Sequence, residues 1–106
     1  MASLPDLVEV REWIGVSPQS LSEVQLQEVM DGEDANQQEV CTVDDPGDRA
    51  ADLVEAFYRR VGRAVAARGI PLGSTPGNEE YGPTRLSSFD AEIERLEGPH
   101  RIAVFG

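Results

Sequence analysis

The stretch DRAADLVEAFYRRVGRAVAAR, residues 48–68, carries the strongest helical pattern in the chain. Its apolar residues recur at steps of three and four, so they fall on one side of a helix in a stripe wide enough to be buried. The members of this stripe are Ala50, Leu53, Val54, Phe57, Val61, Ala64 and Val65. We therefore expect a long central helix against which the rest of the chain packs.

The ends and the polar face of this helix follow from the same stretch and its neighbours. Asp45 can cap the start, with Pro46 in the first helical position. Gly69 stands where a left-handed residue ends a helix, and Pro71 prevents continuation. The residues expected to point away from the apolar stripe are Asp52, Glu55, Arg59, Arg60 and Arg63.

Two helical segments are expected before the central helix. The first covers residues 4–15, with Trp13 as an anchor at the edge of the core and Gly15 as its stop. The second follows a capping box formed by Ser20 and Glu23. The sequence Asp-Gly-Glu-Asp at 31–34 interrupts its apolar stripe, which predicts a kink near Gly32 or, alternatively, two helices joined by an acidic turn. The apolar stripe of this segment comprises Leu21, Val24, Val29, Met30, Val40 and Cys41.

After the central helix, residues 70–83 contain three prolines and three glycines, which predicts an irregular loop or a short open hairpin. Residues 84–87 form either a brief strand or the approach to a last helix at 89–96. Ser87 and Ser88 are its candidate caps, and Gly98 ends it. The expected fold is all-α: one domain of about four helices, with a helical body at 1–98 and an extended tail at 99–106.

The tail differs in character from the body. Ile102, Val104 and Phe105 are strand formers, whereas the last residues of soluble domains are usually polar and loose. We therefore expect another polypeptide to cover them.

Charge is distributed unevenly along the 106 residues. Residues 1–48 hold twelve acids and one arginine, and residues 49–106 hold eight acids and eight arginines, so the net charge of −11 lies in the first half. Such a surface does not grip nucleic acid, which requires clustered cations. Without a basic stretch followed by an apolar run at the start, the product is expected to be soluble in the cytoplasm.

Residues that could carry chemistry are few. The single cysteine, Cys41, cannot form an intrachain disulfide and is expected to be a small buried hydrophobe. His100 stands beside a proline, and the glycines form no phosphate-binding fingerprint. The acidic run at 31–34 lacks the ligand spacing of a calcium loop. We therefore expect no enzymatic activity, no cofactor and no metal site.

Four stretches in a particular order carry a resemblance to a known family. They are WIGV at 13–16, LQEVMDGEDANQQEVCTV at 26–43, FYRRVGRAVAARGIPLG at 57–73 and DAEIERLEGPHRIAVFG at 90–106. Together they resemble the head-to-tail adaptor proteins of long-tailed actinobacterial phages. The resemblance covers nearly the whole chain and lies in the order and spacing of the stretches.

This resemblance implies a structural protein of the virion neck, between capsid and tail. It implies a twelve-membered ring that binds the portal protein, extends the DNA channel and receives the head-to-tail stopper. Genomic DNA would pass without sequence-specific binding, and an acidic lining suits that passage. The candidates for portal contact are Arg101, Ile102, Val104 and Phe105, because an extended apolar end can add to an edge or groove of a neighbour. The candidates for contact with a neighbouring subunit or the stopper are Arg59, Arg63, Leu72 and Tyr81.

A second hypothesis comes from a different class of protein. The carboxylates of the first half could form the binding surface of a small acidic regulatory module that masks a basic partner, as DNA mimics do. The two hypotheses differ in salt dependence, because a charge-driven complex weakens steeply as ionic strength rises.

Overall fold

The computed structural model describes residues 3–70, 72 and 82–102. In these ranges the chain forms four α-helices: α1 (Leu7–Ile14), α2 (Glu23–Val40), α3 (Ala51–Ala67) and α4 (Gly82–Glu97). A short 3-10 turn, Gly98–His100, follows α4. The prediction of a small all-α bundle is confirmed. Residues 71, 73–81 and 103–106, which include most of the proline- and glycine-rich loop and the last part of the tail, lie outside the described residues.

The helix α3 is the centre of the bundle and packs against α1, α2 and α4. The predicted apolar stripe is buried at Leu53, Phe57, Val61 and Val65. One polar assignment is wrong: Arg60, expected to point away from the stripe, is only 6% exposed. The reason is an ion pair across the bundle with a carboxylate of α4, described below.

The start of α3 also differs from the prediction. Asp45 does not cap it; the helix begins at Ala51 after Ala50, which makes no side-chain capping bond. Asp45 instead accepts a hydrogen bond from the Gly47 backbone in the preceding turn (3.0 Å). The prediction for the other end holds, because Gly69 has a left-handed backbone (φ 79°) just after the last helical turn.

Both early helices start with capping boxes. In α1, Asp6 and Glu9 satisfy each other's backbone donors, so the helix begins at Leu7 and ends as expected before Gly15 (φ 66°). In α2, the capping box is formed by Ser22 and Gln25 rather than by Ser20 and Glu23. Ser20 belongs to the preceding turn.

The helix α2 is continuous from Glu23 to Val40, so it does not unwind near Gly32, and the predicted pair of helices joined by an acidic turn is wrong. Gly32 faces open space, where a helical glycine costs only about 1 kcal/mol relative to alanine. The next two residues, Glu33 and Asp34, form ion pairs with arginines of other segments. These tertiary contacts support the helix through a sequence with weak helical propensity.

The helix α4 begins at Gly82, earlier than predicted. Residues 84–87 are therefore helical rather than a strand, and Ser87 and Ser88 lie inside the helix rather than at its cap. Phe89 and Ile93 are buried, as the predicted apolar face required.

The hydrophobic core lies between α1, α2 and α3, and two predicted members of the α2 stripe are outside it. Val24 and Val40 are 69% and 37% exposed. Trp13 packs at the edge of the core, stacked on Tyr58 at 5.5 Å between ring centroids. The buried members of the core are Val10, Ile14, Val16, Leu21, Leu26, Val29, Met30, Phe57, Val61 and Val65.

Candidate interaction surface

After the 3-10 turn Gly98–His100, the chain pairs with the end of α2, so the predicted extended tail is wrong at residues 99 and 100. The Thr42 backbone N–H donates to the His100 carbonyl (2.8 Å), and the Ile102 N–H donates to the Val40 carbonyl (3.0 Å). Between these two bonds, Cys41 and Arg101 form an antiparallel bridge. The segment 98–102 is thereby attached to the surface of its own bundle.

A fully buried carboxylate lies at the base of this segment. Glu97, the last residue of α4, accepts two hydrogen bonds from Arg60. Arg60 Nε donates to Oε2 (2.5 Å), and Arg60 Nη2 donates to Oε1 (2.7 Å). This two-point geometry is the strongest that a guanidinium and a carboxylate can form. Gln37 of α2 adds a third hydrogen bond, from Nε2 to Glu97 Oε2 (3.0 Å).

The polar contacts continue from Gln37 towards the turn before α3. Gln37 Nε2 also donates to the Leu53 carbonyl (2.9 Å), and its Oε1 accepts from Arg49 Nη1 (2.7 Å). Arg49, 1% exposed, donates to Asp34 and to the Pro46 carbonyl. We call the connected set Glu33, Asp34, Gln37, Arg49, Arg60 and Glu97 the buried polar network.

The buried polar network holds three carboxylates and two guanidinium groups, so it carries one net negative charge, and Arg101 lies at its edge, 3.4 Å from Glu97. Arg60 Nη1 lies 3.5 Å from Glu33, and Arg49 pairs with Asp34. Burial alone would raise the pKa of Glu97, but hydrogen bonds from Arg60 and Gln37 and the nearby positive charges outweigh it and hold the pKa below its ordinary value. Glu97 therefore stays ionised, and the network ties α2, α3 and α4 together where the segment 98–102 starts.

Side-chain contacts fix the segment 98–102 from both sides. His100 Nε2 lies 2.8 Å from Asp52 Oδ1 in the first turn of α3, and Arg101 Nη2 lies 3.4 Å from Glu97 Oε1. Beneath the segment, Cys41 is buried with a free thiol, as predicted. Burial, followed by the charge of Glu97, raises the pKa of that thiol to about 11, so it remains protonated and inert at neutral pH.

The outer side of this segment is exposed. The Arg101 side chain is 43% exposed, and Ile102 is 48% exposed beside Val40. Two of the four predicted portal-contact residues, Arg101 and Ile102, are thus brought together on the surface. The other two, Val104 and Phe105, lie outside the described residues.

The residues predicted to contact a subunit or the stopper do not form one group. Arg59 pairs with Glu55 (2.9 Å) and lies over the Trp13 ring at 5.6 Å. Arg63 pairs with Asp90 of α4 (2.8 Å). Leu72 packs partly buried against the core, and Tyr81 lies outside the described residues. Both arginines thus pair with carboxylates of their own protomer. A contact with another subunit would have to use the same guanidinium groups.

The buried polar network was missed by the sequence reasoning, although the pattern contained a signal for it. Glu97 lies four residues after the buried Ile93, and Arg60 lies four residues after the buried Ala56. Gln37 lies seven residues after the buried Met30. Each of these polar residues lies on the same face of its helix as a buried apolar residue. A polar side chain at such a position is expected to be buried and to need a hydrogen-bonding partner.

Comparison with known protein families, with characterised proteins and with solved structures found no match for this chain. None of the helices in the described ranges is long and apolar enough to cross a membrane. Across the same ranges, the acidic, histidine and cysteine side chains form no group that could hold a metal ion. Functional inference therefore depends on the geometry of the chain itself and on the resemblance in its sequence.

Proposed function

We propose that the chain is a head-to-tail adaptor, a structural protein of the phage neck that assembles as a ring beneath the portal and joins capsid to tail. The adaptor has no active site in this proposal and works by contact. DNA passes through the ring without being bound in a sequence-specific way.

The observation that carries the proposal is the attachment of the segment 98–102. Its base is held by the ion pair of Arg60 with Glu97, and its far end turns Ile102 outward. The strand formers Val104 and Phe105 follow directly in the sequence. An extended segment held at its base loses less conformational entropy when it adds to a partner, which favours binding to the portal.

The charge of the chain supports the same proposal. A net charge of −11 per copy, repeated around a ring, repels the phosphates of a passing duplex instead of binding them. This suits a channel through which DNA must move freely.

Removing the segment tests the proposal. A variant that lacks residues 99–106 is expected to keep its helical circular dichroism but to leave portal-containing heads and tails unjoined, scored by electron microscopy. A second variant that lacks only residues 103–106 keeps the contacts of His100 and Arg101 and serves as the control for stability. Normal joining by both truncated proteins would contradict the portal-contact role.

The acidic regulatory module remains the second candidate, since four carboxylates of α2 are exposed and form no ion pair within the described part of the chain. They are Glu23, Glu28, Asp31 and Glu39. Binding of the purified protein to isolated portal rings is expected to persist as NaCl rises from about 0.1 M to about 0.5 M, because apolar contacts are not screened. A steep loss of binding over that range would favour the charge-driven module.

A further inference from the structure

Four large apolar side chains are exposed among the described residues. Val8 (62% exposed) lies on α1, and Val24 (69%) lies in the first turn of α2. Val40 (37%) and Ile102 (48%) lie at the other end of α2, joined by the backbone hydrogen bond from Ile102 to Val40. We call Val40 and Ile102, together with Arg101, the Ile102 corner.

Val8 lines a groove of about 530 Å³ between α1 and the start of α2, here called the α1–α2 groove. Leu7, Val8, Val16 and Pro18 contribute apolar lining. The acids Glu12 and Glu23 also line it. The groove thus combines an apolar lining with negative charge.

One molecule cannot bring its α1–α2 groove and its Ile102 corner together. Glu23, which lines the groove, and Val40 are seventeen residues apart on the continuous helix α2, a separation of about 26 Å at roughly 1.5 Å per residue. A second copy placed end to end along the direction of α2 can do so. We propose that the Ile102 corner of one copy docks in the α1–α2 groove of the next.

Charge complementarity favours the Ile102 corner of a second copy as the group that fills the α1–α2 groove. Arg101 is 43% exposed, and its contact with Glu97 is long at 3.4 Å, so its guanidinium is available to an outside carboxylate. Glu12 and Glu23 offer such carboxylates at the groove, which has Arg11 as its only basic lining residue among the described ones. Ile102 and Val40 would cover the apolar lining while Arg101 pairs with one of these acids.

The contact joins two different surfaces, so it repeats from copy to copy and closes into a ring when the rotation between copies allows. It deepens the proposed function by naming the contact between subunits. That the contact closes into a ring rests on the proposed function. In this arrangement Arg101 and Ile102 contact the neighbouring copy instead of the portal, and of the four predicted portal-contact residues Val104 and Phe105 remain for the portal. The buried area is small, so a single contact is weak and becomes effective when many copies are held together.

Self-association of the full chain tests this contact. In sedimentation velocity at up to about 1 mM protein, a concentration that detects weak complexes, the average mass of the wild type is expected to rise with concentration. Val8→Asp in the groove and Ile102→Asp in the corner should each remain monomeric. An equimolar mixture should form dimers and nothing larger, since each dimer has one intact groove and one intact corner.

The matched control is Ala35→Asp, which adds the same charge to an exposed position of α2 that belongs neither to the groove lining nor to the Ile102 corner and should associate like the wild type. Circular dichroism checks that each variant is folded. A wild type that stays monomeric, or a groove variant that associates normally, would overturn the contact. If portal binding persists in that case, the proposed adaptor function survives and only the intersubunit contact fails.

Discussion

Replacing Glu97 by glutamine is expected to lower the free energy of unfolding by about 3–5 kcal/mol, because it removes the closest counter-charge of the buried Arg60 and leaves only Glu33, 3.5 Å away. The amide of glutamine would also present a donor to a guanidinium that has only donors. Folded domains of this size have roughly 5–15 kcal/mol in total, so the loss is a large share of the stability. Urea unfolding followed by far-UV circular dichroism measures it.

Two comparisons make this prediction specific. Glu94→Gln removes the same charge from an exposed position of α4 and should change stability by less than about 0.5 kcal/mol. The double variant Arg60→Met, Glu97→Leu removes both charges and should recover much of the loss, since apolar residues can replace a buried ion pair. A Glu97→Gln protein as stable as the wild type would show that the ion pair does not hold the bundle.

The effect should also depend on pH in a defined direction. The pKa of Glu97 in the folded protein lies below its ordinary value of 4.5. Its contribution to stability is therefore complete above pH 4.5 and is lost as the pH falls through the folded-state pKa. The stability difference between the wild type and Glu97→Gln should shrink over that acidic range, because the wild-type side chain becomes neutral as well.

Replacing Phe57 by alanine is expected to cost about 3–5 kcal/mol, because it opens a cavity where α1, α2 and α3 meet. Phe57 is 1% exposed and belongs to the cluster that contains Ile14 of α1 and Leu26 of α2. The chain has six aromatic side chains, so few are available to fill the space that the Phe57 ring leaves. Thermal unfolding and urea unfolding should both register the loss.

The comparison for this prediction is Phe57→Leu, which keeps most of the volume and should cost less than about 1.5 kcal/mol. A surface substitution on the same helix, Glu55→Gln, should be nearly neutral because Glu55 is exposed. Equal stability of the alanine and leucine variants would show that Phe57 does not fill the core.

Local patterns predicted where helices lie better than where they begin. Both Ser20 and Ser22 have a suitable partner three residues later, Glu23 and Gln25, so the capping-box pattern does not choose between them. The choice follows from Leu21, which is 1% exposed in the turn and fits the core only if the helix starts after it. The start of α3 was misplaced for a similar reason, since the preceding residues form the turn that places Arg49 in the buried polar network.

What the sequence by itself determined is the part that depends on near neighbours: the all-α class, the central helix with its stripe at Leu53, Phe57 and Val61, and the stop at Gly69. Periods of three to four residues and a glycine conformation are local properties of the chain. Only the tertiary structure decided which charges are buried, because Gln37 and Glu97 are sixty residues apart and meet only when α2 and α4 pack on α3. The same packing kept α2 continuous through Gly32 and placed Val40 beside Ile102.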